Sequence, residues 1–326
     1  MNAPVTNEAA MSELILHIGA HKTATTTIQK LLAESAGALA RANVVYPRIA
    51  WFQFAQHRLA FGLKRMTDPT ARDVPDPLAE IAGINAVLAA NRGKRVLVSS
   101  EELFTMPAAS LELLKGNLVA DSIRIVACVR RPDDMLLSIY NQKAKTPNNG
   151  FARMLDHFVA NPRLIDPDIA YGQQLGKWID AFGASALSVY TYEESPPVAS
   201  FFAQLGMVVP QGGASAFNPS VPGTVVELMR MAKAFGMAAD RQPRLYAAAL
   251  RQFADAPLRT LPDEARRSIV ATMQPECDAL FQRLGRANPY TVDRLVPARA
   301  DAAAAPAPSV SYRDLMSLVE SLLPPS

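Results

Sequence analysis

The sequence predicts an α/β protein with three layers, a mostly parallel sheet covered by helices on both faces, and a helical C-terminal extension. Two observations predict it. Short apolar runs alternate with stretches of helical periodicity through about residue 206, the pattern of strands joined by crossover helices. From about residue 218 only the helical period remains.

Glu13 to Gly19 (ELILHIG) is a short apolar run that stops at a glycine and predicts a buried strand. From Ala24 the apolar positions Ile28, Leu31, Leu32 and Leu39 fall on one helical face. Val44 to Tyr46, before Pro47, predicts a second strand, and Trp51 to Met66 reads as helical. Thr67 to Pro77 (TDPTARDVPDP) is a loop by its Pro and Asp content. A helix follows from Leu78 to about Asn91, then a strand over Arg95 to Ser99 that ends in Ser99-Ser-Glu-Glu102. Ile123 to Val129 (IRIVACV) is the most strand-like segment and ends in Arg130 and Arg131. Pro132 suits the first turn of a helix, with Asp133 and Asp134 complementing its dipole. Leu187 to Tyr192 is the last strand, and helices are expected over Thr224 to Phe235, Arg241 to Phe253 and Asp263 to Leu284. These elements form one domain over residues 12–290, with its sheet core in 13–206 and its helical part in 218–285. An Ala/Pro-rich linker over 296–309 and a short helix over 311–324 complete the chain.

The stretch His17-Ile-Gly-Ala-His-Lys-Thr-Ala-Thr-Thr-Thr27 carries the most chemistry. A strand delivers the chain to Gly19 and a helix begins near Ala24. The peptide N–H groups of such a turn, together with the helix dipole, form an anion site. Lys22 adds a mobile charge, and Thr25, Thr26 and Thr27 add hydroxyl donors. The generic phosphate loop G-x-x-x-x-G-K-[ST] is not matched, since only two residues separate Gly19 from Lys22 and no Gly precedes the Lys. A Thr-rich helix start capped by its own hydroxyls would explain the threonines but not the lysine. A second constellation, Arg130-Arg-Pro-Asp-Asp-Met-Leu-Leu-Ser138, places an Arg at a strand end and a Ser two turns into the next helix. An Arg fork and a hydroxyl suit a phosphate at the carboxyl edge of a sheet.

Lys22-Thr-Ala-Thr-Thr-Thr27 resembles the 5′-phosphosulfate loop, K-[ST]-G-T-T, of sulfotransferases that use 3′-phosphoadenosine 5′-phosphosulfate (PAPS). The longer pattern H-I-G-x-H-K-T-x-T-T-x-I-Q is similar to a bacterial branch with a P-loop-like fold. Ala24 departs from it, standing where the family usually has Gly; alanine fits there only with helical dihedrals. The family's 3′-phosphate motif, R-x-P with a Ser eight residues after the Arg, is matched by Arg130 and Ser138. The resemblance covers about residues 13–206. It implies that His21, Lys22, Thr23, Ala24, Thr25, Thr26, Thr27, Arg130 and Ser138 hold the co-substrate. It also puts Tyr192 of Tyr190-Thr-Tyr-Glu193 near the adenine, although a strand tyrosine packing in the core accounts for Tyr192 equally.

The reaction so implied is sulfuryl transfer from PAPS to a hydroxyl or amine acceptor, a carbohydrate among the candidates. Lys22 would stabilise charge on the bridging oxygen. A general base is expected at a strand end facing the sulfate. Ser99 to Glu102 ends the strand expected beside that of Arg130, so Glu101 is the first candidate, with Glu102 and His57 as alternatives. No metal is expected, since the cations and helix N–H groups already supply positive potential. The alternatives are a small-molecule kinase using ATP and Mg²⁺, and a nucleotide-binding protein without chemistry.

Composition sets the outer limits. Of 326 residues, 49% are hydrophobic and 19% charged, which excludes a disordered or fibrous chain. A net charge of +3 is too small to predict a nucleic-acid partner. Cys128 and Cys277 are too few for a disulfide framework. No apolar run is long enough to span a membrane, and the N-terminus lacks the pattern of a signal peptide, so a cytoplasmic location is expected. Abundant Ala and an excess of Arg over Lys suggest a GC-rich bacterial genome.

Overall fold

A computed structural model describes residues 11–210 and 220–295, with residues 311, 313, 316 and 317 beyond them. In chain order it forms β1 (Glu13–His17), α1 (Thr25–Glu34), α2 (Ala36–Arg41), β2 (Val44–Val45), α3 (His57–Lys64), α4 (Pro77–Ala90), β3 (Arg95–Ser99), α5 (Ala108–Asn117), β4 (Ser122–Val129) and α6 (Pro132–Lys145). Then follow α7 (Leu155–Ala160), α8 (Tyr171–Phe182), β5 (Leu187–Thr191), α9 (Pro197–Gln204), α10 (Gly223–Ala234), α11 (Gln242–Gln252) and α12 (Asp263–Arg283). The expected linker over 296–309 lies outside the described residues. So does most of the expected helix over 311–324, of which 313, 316 and 317 are helical.

The chain divides into two compact units. The first contains the described parts of Met1–Arg130, Tyr171–Phe217 and Leu280–Arg286, and with them the whole sheet. All five strands are parallel, in the order β2-β3-β1-β4-β5. The β3 strand was expected beside the Arg130 strand; instead the N-terminal β1 lies between them. Register places Leu16 between Val98 and Ile125, and His17 between Ser99 and Val126. The alternation of a strand sends Ile15, Leu97, Val126, Cys128 and Tyr190 to one face. There they pack on Ile28, Leu31 and Leu32 of α1, Leu39 of α2, and Phe201 and Phe202 of α9. On the other face Leu14, Leu16, Val96, Val98, Ile125, Ala127 and Val189 are buried, with α8 against β5 and α5 against α8.

Two helices start or break differently from expectation. The apolar stripe from Ile28 to Leu39 is split at Ser35 into α1 and α2, yet all four apolar positions reach the same core. The helix expected over Trp51 to Met66 begins only at His57. Ala50 and Gln53 hold left-handed backbone, and Phe52 and Ala55 close a short bridged turn instead. The Gln56 side chain then pins this turn, accepting from Ser99 N at 2.8 Å and donating to Pro47 O at 2.6 Å.

The second unit contains Arg131–Ala170 and the described parts of Asn218–Ala279 and Ala287–Ser326. Its α10 packs on α6 and α11 through Val225, Leu228, Met229, Met135, Leu136 and Leu245, all fully buried. Asp133 does more than face a helix dipole. Its carboxylate is 1% exposed and is clamped by Arg131 Nε at 2.6 Å and Arg266 Nε at 2.9 Å. No helix among the described residues is long and apolar enough to cross a membrane.

Candidate active site

The loop between β1 and α1 leaves the centre of the sheet at its carboxyl edge. Ile18 N donates to Val126 O at 2.9 Å, which extends the ladder one residue, and the chain then turns. Thr23 Oγ1 donates to Ala20 O at 2.6 Å and closes the turn. Lys22 and Ala24 both have φ of 66°. Ala24, with ψ of 18°, is therefore left-handed rather than helical, and the condition under which alanine would fit without strain is not met. Gly19 answers a different demand: a Cβ there would lie 3.1 Å from both His17 Nε2 and Thr25 Cγ2.

This turn delivers α1 without a cap. Among the described residues no side-chain cap bond is made at its start, and no acidic residue occupies its first turn. The threonine-capped alternative is thus not what forms. Thr25 is buried, and Thr26 and Thr27 are half-buried. Uncapped N–H groups at a helix start, with their partial positive charge, suit an anion.

Arg130 follows β4, the strand next to β1, and reaches the same loop. Its Nη1 donates to Lys22 O at 3.3 Å. Its guanidinium lies over the Tyr192 ring, 4.5 Å from the centroid, a cation–π arrangement. The Tyr171 hydroxyl donates to Arg130 O. Arg130 Nε is buried with no hydrogen-bond partner among the described residues. Arg130 thus contacts both the Lys22 backbone and the Tyr192 ring at one sheet edge. Tyr192 also packs partly on the core. Ser138 lies half-buried on α6 of the second unit.

The end of β3 supplies the carboxylates, on a single 3₁₀ turn over Glu101–Leu103. Glu102 is held at both oxygens: His21 Nε2 lies 3.4 Å from Oε1 and Lys64 Nζ 3.1 Å from Oε2. The His21 hydrogen bond and the Lys64 ammonium bring its carboxyl down to about 2 despite partial burial. Glu101 is held differently. Gln29 Nε2 of α1 donates to its Oε2 at 2.6 Å, and His57 Nε2 lies 3.8 Å from the same oxygen. His57 is buried against Phe61, with its Nδ1 hydrogen-bonded to Ser100 Oγ at 2.8 Å. Burial pushes its imidazole below the ordinary value, against the pull of Glu101 and Glu102.

Beneath the loop, His17 is fully enclosed. Its Nδ1 is hydrogen-bonded to Ser99 Oγ at 2.8 Å and its ring packs on Phe201. Its Nε2 has no hydrogen-bond partner among the described residues. Burial lowers its imidazole from 6.5 to about 3, so it is neutral near pH 7. His17, Gln29, Ser99, Ser100 and Tyr171 also contact the candidate site residues or their supports, and the sequence assigns none of them a role. The signal for His17 was present, as the one polar residue interrupting an apolar strand. For Gln29 it was a polar side chain one turn below Thr25 on a helix face that is otherwise apolar.

A donor-rich loop, an arginine with an unsatisfied Nε and a carboxylate on a neighbouring strand end can bind a polyanion and accept a proton beside it. Among the described residues no group of three or more His, Cys, Asp or Glu is arranged to hold a metal ion. No protein-family profile matches the chain, and no curated protein matches it. Among solved structures, a sulfotransferase from Alicyclobacillus acidocaldarius aligns over 84% of this chain and 96% of its own, at 16% identity and a TM-score of 0.46.

Proposed function

We propose that the chain transfers a sulfuryl group from PAPS to a hydroxyl or amine acceptor, a carbohydrate or a small alcohol being the class in view. One observation carries the reading: the Arg130 guanidinium bonds to the backbone of Lys22, so one residue of each phosphate motif lies at the same sheet edge. The fit to a polyanionic nucleotide rests on unsatisfied donors, namely the uncapped start of α1 and the buried Arg130 Nε.

The donor brings an activated sulfuryl group carried on a phosphate. The N–H groups of Thr25, Thr26 and Thr27 and the Lys22 ammonium bind and orient its 5′ end, with His21, Thr23 and Ala24 shaping the loop. Arg130 takes the 3′-phosphate and its Tyr192 platform lies beside the base. Ser138 is assigned to the same phosphate on the motif spacing alone. Glu101 takes the acceptor proton as the acceptor atom bonds to sulfur and the sulfur–oxygen bond to the phosphate breaks. Lys22 neutralises the charge that the leaving oxygen gains. Glu102 is a poor proton acceptor because both its oxygens are ion-paired. No metal and no nucleic-acid partner enter this reading, and it suits a cytoplasmic enzyme.

The test is release of labelled sulfate from PAPS with water as the acceptor. Wild-type protein should release it without added metal. Lys22→Ala should lower the rate about 10²- to 10³-fold while leaving nucleotide binding measurable. Equal rates in both proteins would remove Lys22 from the mechanism.

A further inference from the structure

We propose that Gln29 is the positioning residue for the Glu101 carboxylate, tying the proton acceptor to the helix that begins at the anion loop. This rests on reading Glu101 as the base. Gln29 is 3% exposed, on the core-facing side of α1 one turn beyond Thr25. Its Nε2 donates to Glu101 Oε2 at 2.6 Å and makes a longer contact of 3.4 Å to Ser99 Oγ. Ser99 Oγ is in turn hydrogen-bonded to His17 Nδ1 at 2.8 Å. A polar chain therefore runs under the loop, from His17 through Ser99 and Gln29 to Glu101, inside an otherwise apolar layer.

Packing alone does not call for this arrangement. A leucine at position 29 would join Ile28, Leu31 and Leu32 in the core, whereas a buried amide is costly unless its donors are used. Here the amide holds Oε2, the oxygen that faces His57. Oε1 has no hydrogen bond among the described residues, which suits it to an acceptor O–H. Because Thr25 and Gln29 are one turn apart on a rigid helix, about 6 Å along its axis, an anion held at the helix start and the carboxylate keep a fixed spacing. The other titratable groups facing Glu101 are His57 from α3, Tyr46 after β2, and the adjacent Glu102 with its His21 and Lys64 partners. None of them donates to Glu101 as Gln29 does.

The experiment uses full-length protein and two readouts, the kcat of sulfate release from PAPS and the Kd of 3′,5′-adenosine bisphosphate. In Gln29→Met kcat should fall about 10-fold or more while the Kd stays within about twofold, and in the Glu101→Gln background the same substitution should lower kcat no further. Gln29→Asn, one methylene too short to reach, should behave like Gln29→Met and serves if the methionine variant does not fold. An unchanged kcat in either folded variant, or the same loss in the Glu101→Gln background, overturns the proposal. A wild-type protein that neither binds the bisphosphate nor releases sulfate refutes the functional reading, whereas an active wild type with unaffected variants refutes only the role of Gln29.

Discussion

Replacing Ala24 by glycine perturbs the anion loop at the point where its backbone departs most from what its side chain prefers. Ala24 has φ of 66° and ψ of 18°. A Cβ in this conformation costs roughly 1–2 kcal/mol, and glycine carries no such cost. Glycine also gives the unfolded chain more freedom, which offsets about 0.4–1 kcal/mol of that gain. The net expectation is a stabilisation of about 0.5–1 kcal/mol, or a rise in Tm of roughly 1 °C. Urea denaturation of wild type and Ala24→Gly measures it directly. The control is Gly19→Ala five residues earlier, where the new Cβ would meet His17 Nε2 and Thr25 Cγ2 at 3.1 Å. Those tight contacts oppose the entropy that alanine removes from the unfolded chain, so that variant should gain less stability than Ala24→Gly. Loss of stability in Ala24→Gly, by about 0.5 kcal/mol or more, would refute the left-handed assignment, because a helical position penalises glycine by that amount.

Arg130→Ala should weaken binding of 3′,5′-adenosine bisphosphate about 10- to 100-fold and that of 5′-AMP much less, as two isothermal titrations will read. Equal losses for both ligands would contradict the 3′-phosphate role. Glu101→Gln should lower sulfate release from PAPS about 10²-fold or more with the bisphosphate Kd unchanged. If Glu102→Gln does this instead, the carboxylates have been assigned the wrong way round. Acid stability should carry the mark of His17, whose imidazole falls from 6.5 to about 3 on folding. The unfolded chain then binds the extra proton first, so stability falls as pH drops from about 6.5 to 3, at up to about 1.4 kcal/mol per pH unit. His17→Gln should flatten that limb in urea titrations run across the range, and an unaltered slope would show that His17 is not buried neutral. Glu102 acts in a lower window: its carboxyl falls from 4.5 to about 2, so its contribution is present above 4.5 and lost on acidification toward 2. Glu102→Gln should soften the loss of stability over that window.

Much of the fold was legible because the central strands are apolar on both faces. Glu13–His17, Arg95–Ser99 and Ser122–Val129 each read as a short, mostly apolar run followed by a polar cluster, and the candidate site is drawn from those clusters. The sheet order was not legible, because no local pattern says which parallel strands become neighbours. That is why β1 was not expected between β3 and β4. The helix α8 is legible only in the period of Tyr171, Leu175, Trp178 and Ile179, with no cap or breaker to mark its start. The turn before α3 reads as helix because its left-handed residues are Ala50 and Gln53 rather than glycines. In the site, charged and hydroxyl residues at strand ends could be picked out in advance. Their supports could not: the His17–Ser99 bond joins residues 82 apart, and the Gln29–Glu101 bond residues 72 apart.

The central claim, a pocket for a 3′-phosphorylated adenine nucleotide built on Lys22 and Arg130, is tested most directly by thermal stabilisation. Wild-type protein is heated with 3′,5′-adenosine bisphosphate or with ATP, each with and without Mg²⁺. A ligand at a hundredfold excess over its Kd, binding only the folded state, adds about 2.7 kcal/mol. The account predicts that the bisphosphate raises Tm to the same extent with or without Mg²⁺, and that ATP raises it less. Stabilisation by ATP with Mg²⁺ alone would contradict it and remove the roles given to Arg130 and Ser138.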